Sequence, residues 1–230
     1  MVAAPSGVPR IMAAWRLALA LAPSVRYELG SSSLPAHMAE PARITGMRMT
    51  INEFLVAELP EGKSELVRGE VRLTPPPEAP HGRAATNLVV MLSVYVREKR
   101  LGWVFGDSVG YELVGFPQTV RVPDVSFVRA DRIPSDGVRP GLFKFPPDLA
   151  IEVISPSETA TLLEEKIRDY AMSGTRLIWI VDPMRRTILT IPDDAPVSWL
   201  AEGDTLGGGS IVPGFSCPVA EVFEGIARDT

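Results

Sequence analysis

The chain has 230 residues, 46% of them hydrophobic and 22% charged, which suits one globular domain with a sizeable core and excludes a largely disordered polypeptide. One cysteine, Cys217, excludes an internal disulfide framework, and two histidines are too few for the usual zinc ligand sets, so carboxylates would have to hold any metal. The net charge of -5 counts against a broadly basic nucleic-acid-binding surface and leaves phosphate contacts to local basic patches.

Residues 1–46 read as an N-terminal extension, either disordered or the product of a translation start placed too far upstream. Ile11 to Ala22 is apolar but interrupted by Arg16 and too short to span a bilayer, so no membrane association is expected. Its resemblance to an export signal is weak, because the Ser/Pro/Ala-rich stretch that follows has no firm cleavage pattern. Without this segment the remainder, at -7, is no more basic than the whole. Residues 47–230 are expected to form one domain, placed in the cytoplasm.

The domain opens with Thr50 three residues before Glu53, a capping-box spacing that predicts a short helix over Ile51–Leu59, stopped by Pro60. Glu65–Thr74 alternates around Gly69 and predicts a tight hairpin. Ala84, Leu88, Met91, Leu92 and Tyr95 recur at helical spacing, giving a long helix over His81–Lys99. Strands are predicted at Gly102–Phe105, Val109–Val114 and Thr119–Val128. Leu149–Ile154, apolar on both faces and bounded by prolines, reads as a central strand. Thr161–Ser173 is the second clear helix, closed by Gly174. Arg176–Val181 reads as a further buried strand, Asp182–Pro183 as its turn, and Arg186–Ile191 as the next strand. The rest is loops and short strands before a final segment over Val219–Ile226. Strands outnumber helices, and one helix joins two buried strands, so the expected class is α/β (α+β) with a mixed sheet flanked by helices.

Three residues break the local pattern, and a charge on an apolar element costs several kcal/mol unless it is paired or metal-bound. Glu152 interrupts the apolar run 149–154; a structural ion pair or a strand end would also explain it. Asp124 follows Pro123 inside a strand-like run, where a bulge beside an active site and a simple turn are both open. Lys166 shares a helical stripe with Leu162 and Tyr170, next to the apolar stripe Leu163, Ile167 and Ala171. Glu164, Glu165, Arg168 and Asp169 are expected to face solvent. A lysine covering the core with its stem is the plainer alternative for Lys166. Together the three form a chemical set: two carboxylates to hold a hard divalent cation, and a lysine to orient water and stabilise charge developing on a phosphate. The carboxylates alone would equally suit glycoside hydrolysis, and the inward lysine tilts the choice to phosphodiesters.

These residues resemble the Uma-two family of endonucleases in the PD-(D/E)XK superfamily. The landmarks are Glu65-Leu66-Val67-Arg68-Gly69-Glu70, His81, Val122-Pro123-Asp124-Val125, Glu152-Val153-Ile154-Ser155-Pro156-Ser157, Lys166 with Tyr170, and Trp179-Ile180-Val181-Asp182-Pro183. The resemblance spans about Ile51 to Phe223 and implies a restriction-endonuclease-like core. It also implies a metal-dependent endonuclease acting on DNA with Mg²⁺ (Mn²⁺ as substitute) and no small-molecule cofactor. Asp124 and Glu152 match the metal-binding acids, Glu65 a further acid that would complete the metal sphere, and Lys166 the catalytic lysine displaced onto the following helix. His81 matches a recurrent position and is a candidate phosphate or water contact, with capping of the helix start as the alternative. The chain departs from the family at Ser64, Arg68 and Leu162, the last standing where an acid often precedes the lysine by four, and from the superfamily at Ile154, where a lysine is usual. A homodimer is expected, since cutting two strands is simplest with two sites related by a two-fold axis. A non-cutting DNA- or protein-binding module of the same fold, and a sugar hydrolase that would not need Lys166, are the competing functions.

Overall fold

In the computed structural model, residues 46–60, 62–155 and 158–228 are described. Residues 1–45 of the expected extension 1–46, with Pro156 and Ser157, lie outside the described residues.

Helix α1 (Ile51–Val56) begins as the sequence predicts: the Thr50 side chain accepts from Glu53 N, and Glu53 accepts from Thr50 N at 2.7 Å. It stops three residues short of the predicted end at Leu59, with Ala57 already extended. Strands β1 (Lys63–Val67) and β2 (Glu70–Thr74) form the hairpin around Arg68-Gly69, both at positive φ. Helix α2 (Ala79–Lys99) starts two residues before the predicted His81, with Pro80 in its first turn, where the missing N–H has no helical partner to lose. Its cap residue is Glu78, which makes no side-chain cap bond, so His81 does not cap the helix.

Strand β3 (Gly102–Gly106) follows, and then β4, which is only Tyr111–Glu112 where Val109–Val114 was predicted. The predicted strand Thr119–Val128 is two strands in two sheets. The first, β5 (Val120–Arg121), pairs with β1 and β4, whereas β6 (Val125–Arg129) pairs with β3 and β7 (Leu149–Val153). The break has a physical cause: Pro123 has no N–H to give to a ladder, and Val122 N donates instead to the Glu65 side chain at 2.9 Å. Asp124 therefore stands where the chain changes sheets.

Helix α3 (Ala160–Ser173) is capped by Thr159, ends at Gly174 with φ 100°, and connects β7 to its parallel neighbour β8 (Leu177–Asp182). Strands β9 (Thr187–Pro192) and β10 (Ser198–Ala201) complete a six-stranded mixed sheet of order β10-β9-β8-β7-β6-β3. A four-stranded antiparallel sheet, β2-β1-β5-β4, lies beside it. A ribbon of β11 (Thr205–Gly207) and β12 (Ser216–Pro218) leads into α4 (Val219–Val222).

Strand alternation assigns each face of the large sheet to one helix. Leu149, Ile151 and Val153 of β7, with Trp179 and Val181 of β8, pack in one cluster with Ala84, Leu88, Leu92 and Val96 of α2. Ala150, Ile178 and Ile180 pack instead with Leu163, Ile167, Tyr170 and Ala171 of α3. Each large apolar side chain so buried contributes roughly 1.5–3 kcal/mol. Glu152 has the parity of Ala150 and thus lies on the α3 face of a strand buried at all five positions. That parity is what brings it to α3.

Candidate functional site

Asp124, Glu152 and Lys166, far apart in sequence, meet at one end of β6 and β7. Asp124 Oδ2 accepts from Val153 N at 2.7 Å, which ties the sheet-switching residue to the end of the central strand. Glu152 is fully buried; its Oε2 accepts from Lys166 Nζ at 2.9 Å and its Oε1 from the Tyr170 hydroxyl at 2.8 Å. Lys166 and Tyr170 are one helical turn apart, so α3 presents both to the same carboxylate.

His81, from the first turn of α2, places Nε2 3.1 Å from Asp124 Oδ2, so it belongs to the site without touching Lys166's side of it. Its Nδ1 is buried without a hydrogen-bond partner among the described residues.

Glu65 is close by but engaged: Oε2 accepts from Arg121 Nη1 at 2.8 Å and Oε1 from Val122 N at 2.9 Å. Arg121 in turn pairs with Asp169 at 2.6 Å. Asp169 also takes Arg68, and Glu165 pairs with Arg68 and Arg72. This corrects the expectation that Asp169 and Glu165 face solvent: Asp169 is fully buried and Glu165 largely so. The arginines that pull them inward come from the hairpin and β5, invisible to the periodicity of α3.

Two further residues escaped the reading of the sequence. Lys63, at the start of β1, places Nζ 2.7 Å from Asp124 Oδ1 and 3.9 Å from Glu152 Oε2. Its signal was present: it precedes Glu65 by two on a strand and so shares its face. Glu158, just before α3, accepts an ion pair from Lys166 at 2.8 Å. Leu162, standing where the family often has an acid, is exposed; Glu158 supplies the carboxylate beside Lys166 instead.

The electrostatics divide the two central acids. Burial raises the Asp124 pKa, but Lys63 and His81 overcome it and hold the carboxyl below its ordinary value. For Glu152 burial prevails over Lys166 and Lys63, and its pKa is raised. Burial alone would depress the Lys63 and Lys166 ammonium groups; Glu152 chiefly reverses this, and both are held above the ordinary lysine value. Despite burial, Glu65 is held down at about 2, first by Arg121.

A groove of about 260 Å³ opens onto Asp124 and His81, walled by Pro77, Ala85, Val89 and Asp107. A larger hollow of about 440 Å³ between the turn 112–117 and Lys144 is lined by none of the residues above, and it lacks their chemistry.

Among the described residues no three His, Cys, Asp or Glu side chains converge as a ready cage for a metal. The donor set nevertheless fits a hard divalent cation. Two carboxylates, one just before β6 and one on β7, flank one cationic atom, Lys63 Nζ, and Mg²⁺ needs only one or two carboxylates because it keeps several waters.

Comparison with known proteins gives a family and a shared fold. The family model described as "Uma2: Putative restriction endonuclease" matches residues 51–220. A solved structure described as a "putative nuclease belonging to DUF820", from Anabaena variabilis ATCC 29413, is similar with a TM-score of 0.68 and 22% identity. The match covers 76% of this chain and 97% of that one, and shows a shared fold. No curated protein matches.

Proposed function

The chain belongs to the Uma2 family, and from that membership and the geometry at Asp124 we propose that it is a divalent-metal-dependent endonuclease hydrolysing DNA phosphodiester bonds. The observation that carries the reading is the pair Asp124, just before β6, and Glu152 of β7, flanking a single cationic atom beside an open groove. Bound there, Mg²⁺ or Mn²⁺ would polarise a phosphoryl oxygen and lower the pKa of a coordinated water.

The chain's own groups do the rest. Asp124 and Glu152 hold the cation. Tyr170 fixes the Glu152 carboxylate in orientation by donating to Oε1. Lys166, gripped between Glu152 and Glu158, keeps a full positive charge and places it where charge develops on the phosphate. His81 offers a second contact at the groove. Glu65 holds Val122–Asp124 in place through Val122 N, and each of its oxygens, accepting one hydrogen bond, keeps a lone pair with which it could complete the metal sphere. Two such sites in a two-fold homodimer would serve two antiparallel strands. No helix among the described residues is long and apolar enough to cross a membrane.

The test is plasmid nicking with Mg²⁺, with Mn²⁺ and with chelator, comparing wild type with Glu152→Ala and Lys166→Ala. The expected result is metal-dependent nicking that falls at least a hundredfold in both variants. Nicking that survives Lys166→Ala removes the role given to that lysine. No wild-type cleavage on several DNA forms would put a non-cutting binding module of the same fold first.

A further inference from the structure

Lys63 does not behave as the surface lysine its place at the start of a hairpin would suggest. Its side chain is 12% exposed, and its ammonium lies between the two acids to which the metal is assigned, in contact with Asp124 at 2.7 Å and within 3.9 Å of Glu152. Lys166 does not share this position: it approaches Glu152 from the α3 side and is anchored at its far side by Glu158. We propose that Lys63 is the resident counter-ion of the cation seat, and that a divalent cation binds Asp124 and Glu152 by displacing its ammonium. This inference rests on the metal-dependent reading above and deepens it.

Three features support the exchange. The seat is built from buried carboxylates that need a positive partner, and Lys63 supplies one. A lysine ammonium and a divalent ion cannot share the space between the same two carboxylates, because both are cations and at a few ångströms they repel strongly. Finally, the lysine can leave without moving its strand. β1 is fixed in register with β2 along its length, while the charge sits at the end of a flexible four-carbon stem. Asp124 keeps His81 and Val153 N when Lys63 departs, and Glu152 keeps Lys166 and Tyr170, so the acids remain in place for the incoming ion.

The consequence is an unusual sign. Removing a positively charged active-site residue should tighten metal binding, and replacing it with a guanidinium, which clamps carboxylates through two donors, should weaken it. Mn²⁺ is titrated into the full-length chain without DNA, with free Mn²⁺ followed by electron paramagnetic resonance, for wild type, Lys63→Met, Lys63→Arg and Glu152→Gln. The expected order of affinity is Lys63→Met, at least tenfold tighter than wild type, then wild type, then Lys63→Arg, with binding to Glu152→Gln lost. Affinity in Lys63→Met equal to or weaker than wild type, with Glu152→Gln still abolishing binding, overturns the displacement and leaves the metal site standing. Should Lys63→Met fail to fold, Lys63→Arg decides alone: weaker binding supports the exchange, and equal or tighter binding overturns it. No Mn²⁺ binding by any folded variant overturns both the exchange and the metal-dependent reading.

Discussion

Two charged clusters lie side by side in this molecule and differ in how completely they are closed. In the first, Arg121 sits between Glu65 and Asp169, while Arg68 and Arg72 close over Asp169 and Glu165. Each of its carboxylates has an arginine partner, and the fixed forks of the guanidiniums suit that saturation. In the second, Asp124 and Glu152 are partnered by lysines and a histidine, one lysine contact stretches to 3.9 Å, one imidazole nitrogen is unpartnered, and a groove gives access. Buried charge alone therefore does not mark a site. The first cluster fastens the hairpin and β5 to α3, whereas the second, held by single-point lysine and histidine contacts, stands at the end of a groove.

The sharpest way to break this distinction is to disable one member of each cluster. Arg121→Met leaves Glu65 and Asp169 buried with a partner missing and should cost about 3–5 kcal/mol of stability, measured by denaturant unfolding. The fraction that stays folded should bind Mn²⁺ within a few-fold of wild type. Glu152→Gln should lose the metal outright at a smaller cost in stability, because the amide keeps the shape and can still accept from Tyr170 while Lys166 keeps Glu158. If Arg121→Met abolished metal binding in folded protein, the two clusters would be one.

A smaller effect sharpens the same comparison through pH. Burial raises the Glu165 pKa, but Arg72 chiefly, with Arg121 and Arg68, brings it below the ordinary glutamate value. A carboxyl depressed in the folded state stabilises the fold above its unfolded pKa and loses that contribution as pH falls through the lower folded value. Glu165→Gln should therefore cost about 1 kcal/mol or less at neutral pH, given its partial exposure, and flatten the fall in stability below about pH 4.5. An unchanged acid limb would show that the hairpin's attachment does not depend on this pair.

Much of this was legible in the sequence, for a definite reason. The capping box at Thr50, the turn at Gly69, the periodicity of α2 and the glycine after α3 are local signals, and local structure follows them. Glu152 and Lys166 were legible because each violates an apolar pattern, and the structure brings both to Asp124. What the sequence concealed depends on distant partners. The run 119–128 has uniform strand character, yet Pro123 and the Glu65 side chain divide it between two sheets. Asp169 looks like a surface residue until Arg121 and Arg68 arrive from 48 and 101 residues away. Lys63 was half legible: its spacing puts it on the face of Glu65, but its partners Asp124 and Glu152 come from distant parts of the chain.

The central claim is that Asp124 and Glu152 form a cation seat, and the most direct measurement is a crystal structure of the full chain grown with Mn²⁺, phased for anomalous scattering. The account predicts an anomalous peak within coordination distance of both carboxylates, with Lys63 Nζ withdrawn from between them and Lys166 still on Glu152. A peak elsewhere, or Lys63 still seated between the two acids at saturating Mn²⁺, would contradict it.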